Sequence, residues 1–478
     1  MTATMTDELV ARRRAVEALR SGVPSWDAVA VLGSGQPAAE DRFTAALERM
    51  SEPGRSQEPS AGLLLGGGFG AGKSHLLTHL GHLAMSAGFV VSTVVISKET
   101  PLHDPVKTFR AAIASALDPG RAHGVLADSA ASLDPDTPRY AELSRWVNSP
   151  VSGLDERFAA TLLCHERLRG GEVPGSDETV DALVRFWGGE PLRMTDLRRT
   201  LTSVNAAGLY NFTPIAAAEL ARQRFRFVAR LLRAAGQAGW VILFDEVELI
   251  GRYSVLQRGR SYAELGRWLG SASADADTPL VAVLAMTDDF EAAVLAGKDD
   301  RSQIPAKLRA KQSPQWDETC ELAEAGMRHI ERDMLLLESP DAAELDRTYT
   351  ALRQLHADAF DWVPPDVAGL ERLGATRMRQ YVRAWINEWD LIRLDPEFRP
   401  QTEAVDIASD YGEDEAFDET PAGDLHFSLV PDAELLGAGS PGPDRASGPD
   451  RPHPADRARG PGWIATPRVG TTRPVPDI

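Results

Sequence analysis

A glycine-rich segment that ends in a lysine and a serine has the residue types and the spacing needed to bind phosphates. It has the pattern Gly-x4-Gly-Lys-Ser and consists of Gly67, Gly68, Phe69, Gly70, Ala71, Gly72, Lys73 and Ser74. Its glycines let backbone N–H groups turn toward a phosphate, and the helix that follows adds partial positive charge. Lys73 would reach the β- and γ-phosphates, and the Ser74 hydroxyl would bind Mg²⁺. We call residues 67–74 the glycine loop and include His75 in the predicted nucleotide-binding segment.

An acidic pair stands at the end of an apolar run later in the chain. Residues 241–244 read Val-Ile-Leu-Phe and predict a buried strand, which Asp245 and Glu246 follow. Asp245 would hold the Mg²⁺ water shell, and Glu246 would be the general base for an attacking water. Together with the glycine loop, these acids give the Walker A and Walker B pattern of a nucleotide hydrolase. Glu248 would either orient this site or be solvated.

The nucleobase of the bound nucleotide, adenine or guanine, is predicted by excluding guanine. A GTPase would need an Asn-Lys-x-Asp tetrapeptide to recognise guanine, and the sequence contains none. The expected ligands are therefore ATP and Mg²⁺, and the expected reaction is hydrolysis of ATP to ADP and phosphate.

Further polar residues are candidates for contact with the γ-phosphate. Thr287 ends the apolar run 280–287, at the position of the sensor residue in AAA-type ATPases. Arg377 or Arg379, near the start of a late helix, would reach back to the nucleotide or be solvated. An arginine supplied by a neighbouring subunit would lie between the fourth and fifth strands. Four residues qualify, and the sequence does not choose among them: Arg301, Arg309, Arg328 and Arg332.

Two stripes of basic residues each have a structural and a ligand-binding interpretation. His75, His79 and His82 share one helix face without a carboxylate, so they are expected to be polar-face residues rather than a metal site. The second stripe would meet a phosphate backbone or form a solvated face partly paired with Glu219. Its members are Arg222, Arg226, Arg230 and Arg233.

Apolar runs separated by glycine and proline predict the elements that position these residues. Strands are expected within 63–65, 89–96, 241–244, 280–287 and 334–340, and helices within 8–50, 214–238, 342–360 and 377–392. The succession of strand, glycine loop, helix and strand predicts an α/β P-loop NTPase fold of AAA-like type, with a parallel sheet flanked by helices.

Changes in composition along the chain predict four regions. These are an N-terminal helical segment (1–50), a P-loop ATPase core (51–340) with a helical insertion at about 118–210, a helical lid (341–398) and a tail (399–478). Between Glu403 and Asp424 the tail contains nine acidic residues and no Lys or Arg, and it then becomes rich in proline and glycine. Such a composition cannot bury a core, so the tail is predicted to be disordered.

Overall composition excludes several classes of protein. The 478 residues carry a formal net charge of −19, about half of it in the acidic part of the tail, so indiscriminate nucleic-acid binding by the whole surface is not expected. Two cysteines cannot build a disulfide framework, and no Cys/His cluster has zinc-site spacing. No apolar run is long enough to span a bilayer. The expected location is the cytoplasm, with no membrane association.

Five segments together resemble the ATP-binding proteins of BREX phage-defence systems, the BrxC/BrxD family, and most of all its short BrxD form. They are RRRAVEALRSGVPSWDAVAVLGSGQPAAEDRF, LLLGGGFGAGKSHLLTHL, VVISKETPLHDPVKTFRAAI, VILFDEVELIGRY and LQRGRSYAEL. The resemblance covers about residues 10–395, and its family-specific parts are the N-terminal run and the SKETPLHDP segment. It implies an AAA-like ATPase that acts with other BREX defence proteins, on or near double-stranded DNA, and a homo-oligomer is expected. The tail departs from the family.

Three functions remain open from the sequence. ATP turnover would be coupled to assembly or to engagement of DNA. Alternatively, the protein would be a nucleotide-gated switch or scaffold with negligible hydrolysis. A DNA translocase is the third, and it predicts ATPase stimulation by DNA and a salt-dependent affinity for DNA.

Overall fold

A computed structural model describes most of the chain outside its C-terminal region. The described residues are 2–23, 25–51, 62–118, 124–170, 177–271, 278–367 and 378–397. All of them lie in Met1–Ser428, the first of two units into which the chain divides. The second unit, Leu429–Ile478, and the whole predicted tail (399–478) lie outside the described residues.

A parallel sheet of five strands is the centre of the described part of the chain. The strands are β1 Leu63–Gly66, β2 Val90–Val95, β3 Trp240–Asp245, β4 Leu280–Met286 and β5 Leu335–Leu336. Their order is β2-β3-β4-β1-β5, and every neighbouring pair is parallel. The predicted α/β class with a parallel sheet flanked by helices is confirmed. The fifth strand is shorter than the predicted 334–340, because only Leu335 and Leu336 pair with β1.

Helices account for most of the remaining described residues. The α-helices are α1 Thr2–Ser21, α2 Trp26–Leu32, α3 Pro37–Ser51, α4 Lys73–Ser86, α5 Pro105–Ala114, α6 Val125–Ala131, α7 Pro138–Val147, α8 Glu156–Arg169, α9 Asp177–Trp187, α10 Met194–Ser203, α11 Ala217–Ala234, α12 Val255–Gly266, α13 Asp300–Arg309, α14 Pro314–Arg332, α15 Ala342–Phe360 and α16 Met378–Leu394. Helices α6 to α10 lie within the stretch 118–210, where the helical insertion was expected. None of the described helices has the length and apolar character needed to cross a bilayer.

Alternate residues of the central strands β1, β3 and β4 face two different cores, although the strand sequences look uniformly apolar. Leu65, on β1, belongs to a core that also contains residues of α3 and α4. Its neighbour Leu64 belongs to the opposite core, with residues of α5, α11, α12 and α14. A charged side chain on either face of these three strands would be buried, and isolated buried charges are costly. This is why acidic residues appear only where the strands end.

The N-terminal segment packs partly against helices α15 and α16, which lie in the predicted lid (341–398), and partly against the sheet. Ala15, Val16 and Leu19 of α1 pack with residues of α15 and α16 in one apolar cluster. Phe43 of α3, by contrast, packs against the sheet together with residues of α4. Helices α1 and α2 therefore pack with the lid helices, and the short connection between α2 and α3 joins this layer to the sheet.

Candidate active site

The glycine loop lies between the carboxyl end of β1 and the first turn of α4. Gly70 and Gly72 have φ values of +79° and +102°, a region that L-amino acids with side chains rarely adopt. Lys73 is 9% exposed, and its Nζ donates to the carbonyl oxygens of Gly67 at 2.8 Å and Gly68 at 3.3 Å. The loop thus encloses the ammonium group of Lys73 at the start of a helix, where a phosphate would be bound.

We expect Gly72→Ala to lower ATP affinity by about 5- to 30-fold, because the alanine loop would relax in the free protein and would have to regain this left-handed conformation, at roughly 1–2 kcal/mol, to bind phosphates. A Cβ at Gly72 would have no neighbour within 4 Å, so backbone strain alone would cause the loss. Titration calorimetry with ATP measures it. Gly124→Ala is the matched control, since Gly124 also has a positive φ, +78°, and a Cβ there would equally meet open space. Equal affinity losses in both variants would contradict a specific role for the loop backbone.

Asp245 and Glu246 lie at the carboxyl end of β3, where the chain turns sharply. Glu246 has a φ of +57°, and its backbone N–H donates to Oδ1 of Asp245 at 2.9 Å. Partial burial raises the pKa of Glu246 and the charge of Asp245 raises it further, whereas Lys73 and Arg379 act to lower it. A carboxylate with a raised pKa is a stronger base, as the abstraction of a proton from water requires.

The strand order places Thr287 between the glycine loop and the acidic pair. Strand β4 lies between β1 and β3, and Thr287 directly follows β4. Because the carboxyl ends of parallel strands meet at one edge of a sheet, the three segments share that edge. Thr287 is 1% exposed, and the next residue, Asp288, lies close to Gly68 of the loop.

A cavity of about 460 Å³ opens beside the glycine loop. This is the size of a small-molecule site. Its walls come from the loop (69–74), from Glu246 and Glu248 after β3, from the turn 33–36 between α2 and α3, and from the lid helices α15 and α16. The N-terminal segment and the lid therefore complete a cavity whose floor is the glycine loop.

The histidine stripe on α4 holds the N-terminal segment in place. His75 Nε2 donates to the carbonyl of Gly33 at 2.6 Å, and His82 Nε2 contacts the carbonyl of Trp26 at 3.1 Å. His79 lies 3.2 Å from the carboxylate of Glu40. Burial lowers the pKa of His75 and of His82, which favours their neutral forms. The stripe thus contacts the N-terminal segment and is more than a plain polar face, and His75 also lines the cavity.

The lid contributes a positive charge to the cavity through Arg379. Its Nε donates to the carbonyl of Gly22 at 3.0 Å, and a second guanidinium nitrogen contacts the same oxygen. Its charge favours the ionised form of Glu246, and its side chain lines the cavity. Arg377, the alternative lid candidate, lies outside the described residues.

Two reciprocal hydrogen bonds join Gln36 and Glu338, which both line the cavity. The side-chain amide of Gln36 donates to the carbonyl of Glu338 at 3.0 Å, and its oxygen accepts from the N–H of Glu338 at 2.9 Å. Glu344 of α15 lies against the backbone of Gly35. Sequence reasoning did not single out these residues. The available signal was the place of Gly35 and Gln36 in the GSGQP part of the N-terminal family-like run, which does not include Glu338 or Glu344.

Glu248 is a buried member of the same cavity. It is 5% exposed, lines the cavity, and belongs to the 3₁₀ helix Val247–Arg252 that follows the acidic pair. Burial raises its pKa to about 7, the charge of Lys73 opposes this rise, and Glu246 and Asp245 add to it. The alternative in which Glu248 is solvated is therefore wrong.

The arginine stripe on α11 is buried or half-buried rather than exposed. Arg226 is 8% exposed and donates to the carbonyl of Ser152 at 2.8 Å, and Arg222 donates to Glu264 at 2.6 Å. The guanidinium of Arg230 lies 4.3 Å from the ring centre of Trp146. Arg222 also pairs with Glu219 at 3.4 Å, as predicted. Arg226 is buried and Arg233 contacts the carbonyl of Met50, so only part of the stripe is the solvated face that was expected.

The four candidates for an arginine that acts in trans all lie on α13 and α14. All four are exposed: Arg301, Arg309, Arg328 and Arg332. Arg301 pairs with Glu291 and Glu331, and Arg309 pairs with Glu324. Arg328 and Arg332 form no ion pair within the residues that the structure describes.

The residues that line the cavity, together with Asp245, which lies next to the lining residue Glu246 but does not itself line the cavity, fit ATP with Mg²⁺. Backbone N–H groups at a helix start and the ammonium of Lys73 suit phosphates, and Ser74 and Asp245 offer oxygen ligands of the kind that Mg²⁺ prefers. Within the described ranges, no cluster of three or more His, Cys, Asp or Glu residues could hold a metal ion by itself. A Mg²⁺ ion here would therefore depend on the phosphates for much of its coordination.

Comparisons with known proteins give one match. No curated protein and no solved structure matches the chain. Residues 10–124 of 478 match a family model described as "BREX system ATP-binding protein BrxC/D". This range contains the glycine loop and the SKETPLHDP segment, whereas the acidic pair and the lid lie beyond it. The match supports the resemblance to the BrxC/BrxD family over these residues.

Proposed function

We propose that the protein is an AAA-like P-loop ATPase of a BREX anti-phage defence system, most like the short BrxD form. The observation that carries this proposal is the convergence of Lys73, Ser74 and Glu246 on one cavity, with Arg379 on its lid side. The family description supports ATP as the ligand. The strand order supports the AAA-like assignment, because a sensor residue such as Thr287 must lie between the loop and the acidic strand.

In this mechanism each residue has a separate task. Lys73 stabilises the charge on the γ-phosphate oxygens, and Glu246 accepts a proton from the attacking water. The water oxygen bonds to the γ-phosphorus while the bond to the β–γ bridging oxygen breaks, and ADP leaves with that electron pair. Mg²⁺ held by Ser74 and Asp245 would supply further charge neutralisation. Thr287 would contact the γ-phosphate or the attacking water.

The partners follow from the family description. "BREX system" in that description supports a role with other BREX proteins, in which ATP turnover drives assembly or engagement of double-stranded DNA. We propose a homo-oligomer in which α13 and α14 carry the arginine that completes a neighbouring site. Arg328 or Arg332 is the better candidate, because Arg301 and Arg309 are already paired with glutamates in the same chain.

Steady-state ATP hydrolysis by the purified full chain, with and without double-stranded DNA at two salt concentrations, tests this function. Turnover in the absence of DNA supports an intrinsic ATPase. Stimulation by DNA that weakens at higher salt favours DNA engagement or translocation, since phosphate contacts release counterions. Tightly bound ATP without turnover in any condition, together with a change of size on chromatography, would replace the ATPase by a nucleotide-gated switch.

A further inference from the structure

One oxygen of Glu248 has no hydrogen-bond partner in the part of the chain that the structure describes, although it is buried. This atom is Oε2, and the residue lines the cavity beside the glycine loop. Buried polar atoms are nearly always paired, and an exception inside a ligand cavity calls for a partner that binds there, such as water or an ion. Glu248 therefore has one hydrogen-bonding position available to a ligand.

The charges around Glu248 limit what this ligand can be. Asp245 and Glu246, from the end of β3, repel a second negative charge, whereas Lys73, at the start of α4, attracts Glu248. An anion such as a phosphate oxygen is unsuited to a carboxylate oxygen. A neutral donor such as water fits, because a carboxylate accepts hydrogen bonds from it.

We propose that Glu248 is a positioning residue for ATP hydrolysis, whose Oε2 accepts a hydrogen bond from the water that attacks the γ-phosphate. The inference rests on the function proposed above. Glu246 removes one proton from this water, and Glu248 accepts a hydrogen bond from the other O–H group. Two acceptors on one water direct its lone pair toward phosphorus. Orientation of this kind lowers the barrier because the reactants are held in a near-attack geometry.

A purely structural role does not explain why a carboxylate, rather than an uncharged side chain, is buried at Glu248. A carboxylate that is buried without a partner for Oε2 costs stability, whereas an uncharged side chain of similar size avoids that desolvation cost. Residues that act at active sites often carry such a cost, and replacing them commonly stabilises the fold. The proposal thus predicts that activity and stability change in opposite directions at this residue.

The test compares Glu248→Leu, which removes the acceptor, with Glu248→Gln, which keeps an oxygen but removes the charge. We expect kcat to fall by about 100-fold in the leucine variant and about 10-fold in the glutamine variant. ATP affinity should stay within about threefold of wild type, a difference under 1 kcal/mol. The melting temperature of the glutamine variant without nucleotide should rise at pH 8. That rise should shrink at pH 5.5, where Glu248 in the wild type is protonated.

The matched control is Glu264→Gln, which also removes a buried carboxylate, but one bound by Arg222 outside the cavity. It should lower the melting temperature and leave kcat of the folded protein unchanged. Wild-type kcat in Glu248→Leu, or a loss of kcat matched by an equal loss of ATP affinity, would overturn the positioning role alone. Absence of turnover in the wild type would overturn the proposed function, and this inference with it.

Discussion

Glu246→Gln should slow ATP hydrolysis by about 10²- to 10⁴-fold while the protein still binds ATP, because the amide cannot accept the proton of the attacking water. The side chain keeps its size, and the backbone turn at Glu246 should persist. Initial rates of phosphate release measure the first effect, and equilibrium binding of ATP measures the second. Glu99→Gln is a suitable control, since Glu99 is an exposed acid on the segment that follows the neighbouring strand β2.

Lys73→Ala should give the opposite pattern, in which binding itself is lost. The ammonium group would make charge-assisted hydrogen bonds to phosphates, so its removal should lower ATP affinity by about 100-fold. Lys307→Ala, which removes an exposed lysine of α13, controls for a general effect of charge.

Turnover at the wild-type rate in Glu246→Gln would contradict the assignment of Glu246 as the general base. Unchanged affinity in Lys73→Ala would show that the nucleotide binds elsewhere.

Local chemistry made some parts of this site predictable from the sequence. The glycine loop needs positive φ values at fixed positions, and a buried strand can carry an acid only at its end. Both requirements leave a pattern within a few residues, such as Gly72-Lys73-Ser74. The buried strands and the long helices α11 and α15 are predictable for the same reason, since their periodicity lies in continuous sequence.

Glu248 shows where local reasoning fails. It stands two residues after Glu246, a spacing that places both side chains on the same side of a strand. The chain instead turns at Glu246, with φ of +57°, into the 3₁₀ helix Val247–Arg252, and Glu248 becomes buried. The positive φ of a non-glycine residue cannot be read from residue type, so exposure at this position could not be predicted.

The cavity wall depends on contacts between distant parts of the chain. Gln36 binds Glu338 through two hydrogen bonds, and Arg379 binds Gly22. The SKETPLHDP segment has similar long-range contacts, because the Tyr253 hydroxyl donates to the carbonyl of Ser97 at 3.2 Å. Such pairs are hundreds of residues apart or lie on different elements. The sequence can at most show that one of the two segments resembles a family. It does not show which distant residue that segment contacts.

Asp300→Asn should lower the free energy of unfolding by about 3–5 kcal/mol, the usual cost of leaving one member of a buried ion pair without its partner. Asp300 is fully buried on α13 and accepts two hydrogen bonds from Arg258 of α12, at 2.8 and 2.9 Å. The Tyr262 hydroxyl donates to the same carboxylate at 2.8 Å. The asparagine would leave a buried guanidinium without a counter-charge. Urea denaturation followed by tryptophan fluorescence measures the change.

Arg301, the residue after Asp300, offers the matched control for Asp300→Asn, because Arg301→Gln removes ion pairs that are exposed. Arg301 pairs with Glu291 and Glu331, its side chain is 42% exposed, and the loss should stay within about 1 kcal/mol. Adding Arg258→Met to Asp300→Asn should restore part of the lost stability, since the uncompensated charge is then gone. A cost of Asp300→Asn no larger than that of Arg301→Gln would refute the ion pair as the link between α12 and α13. Helix α12 carries the segment LQRGRSYAEL, so the ion pair would fix this family-like segment against α13.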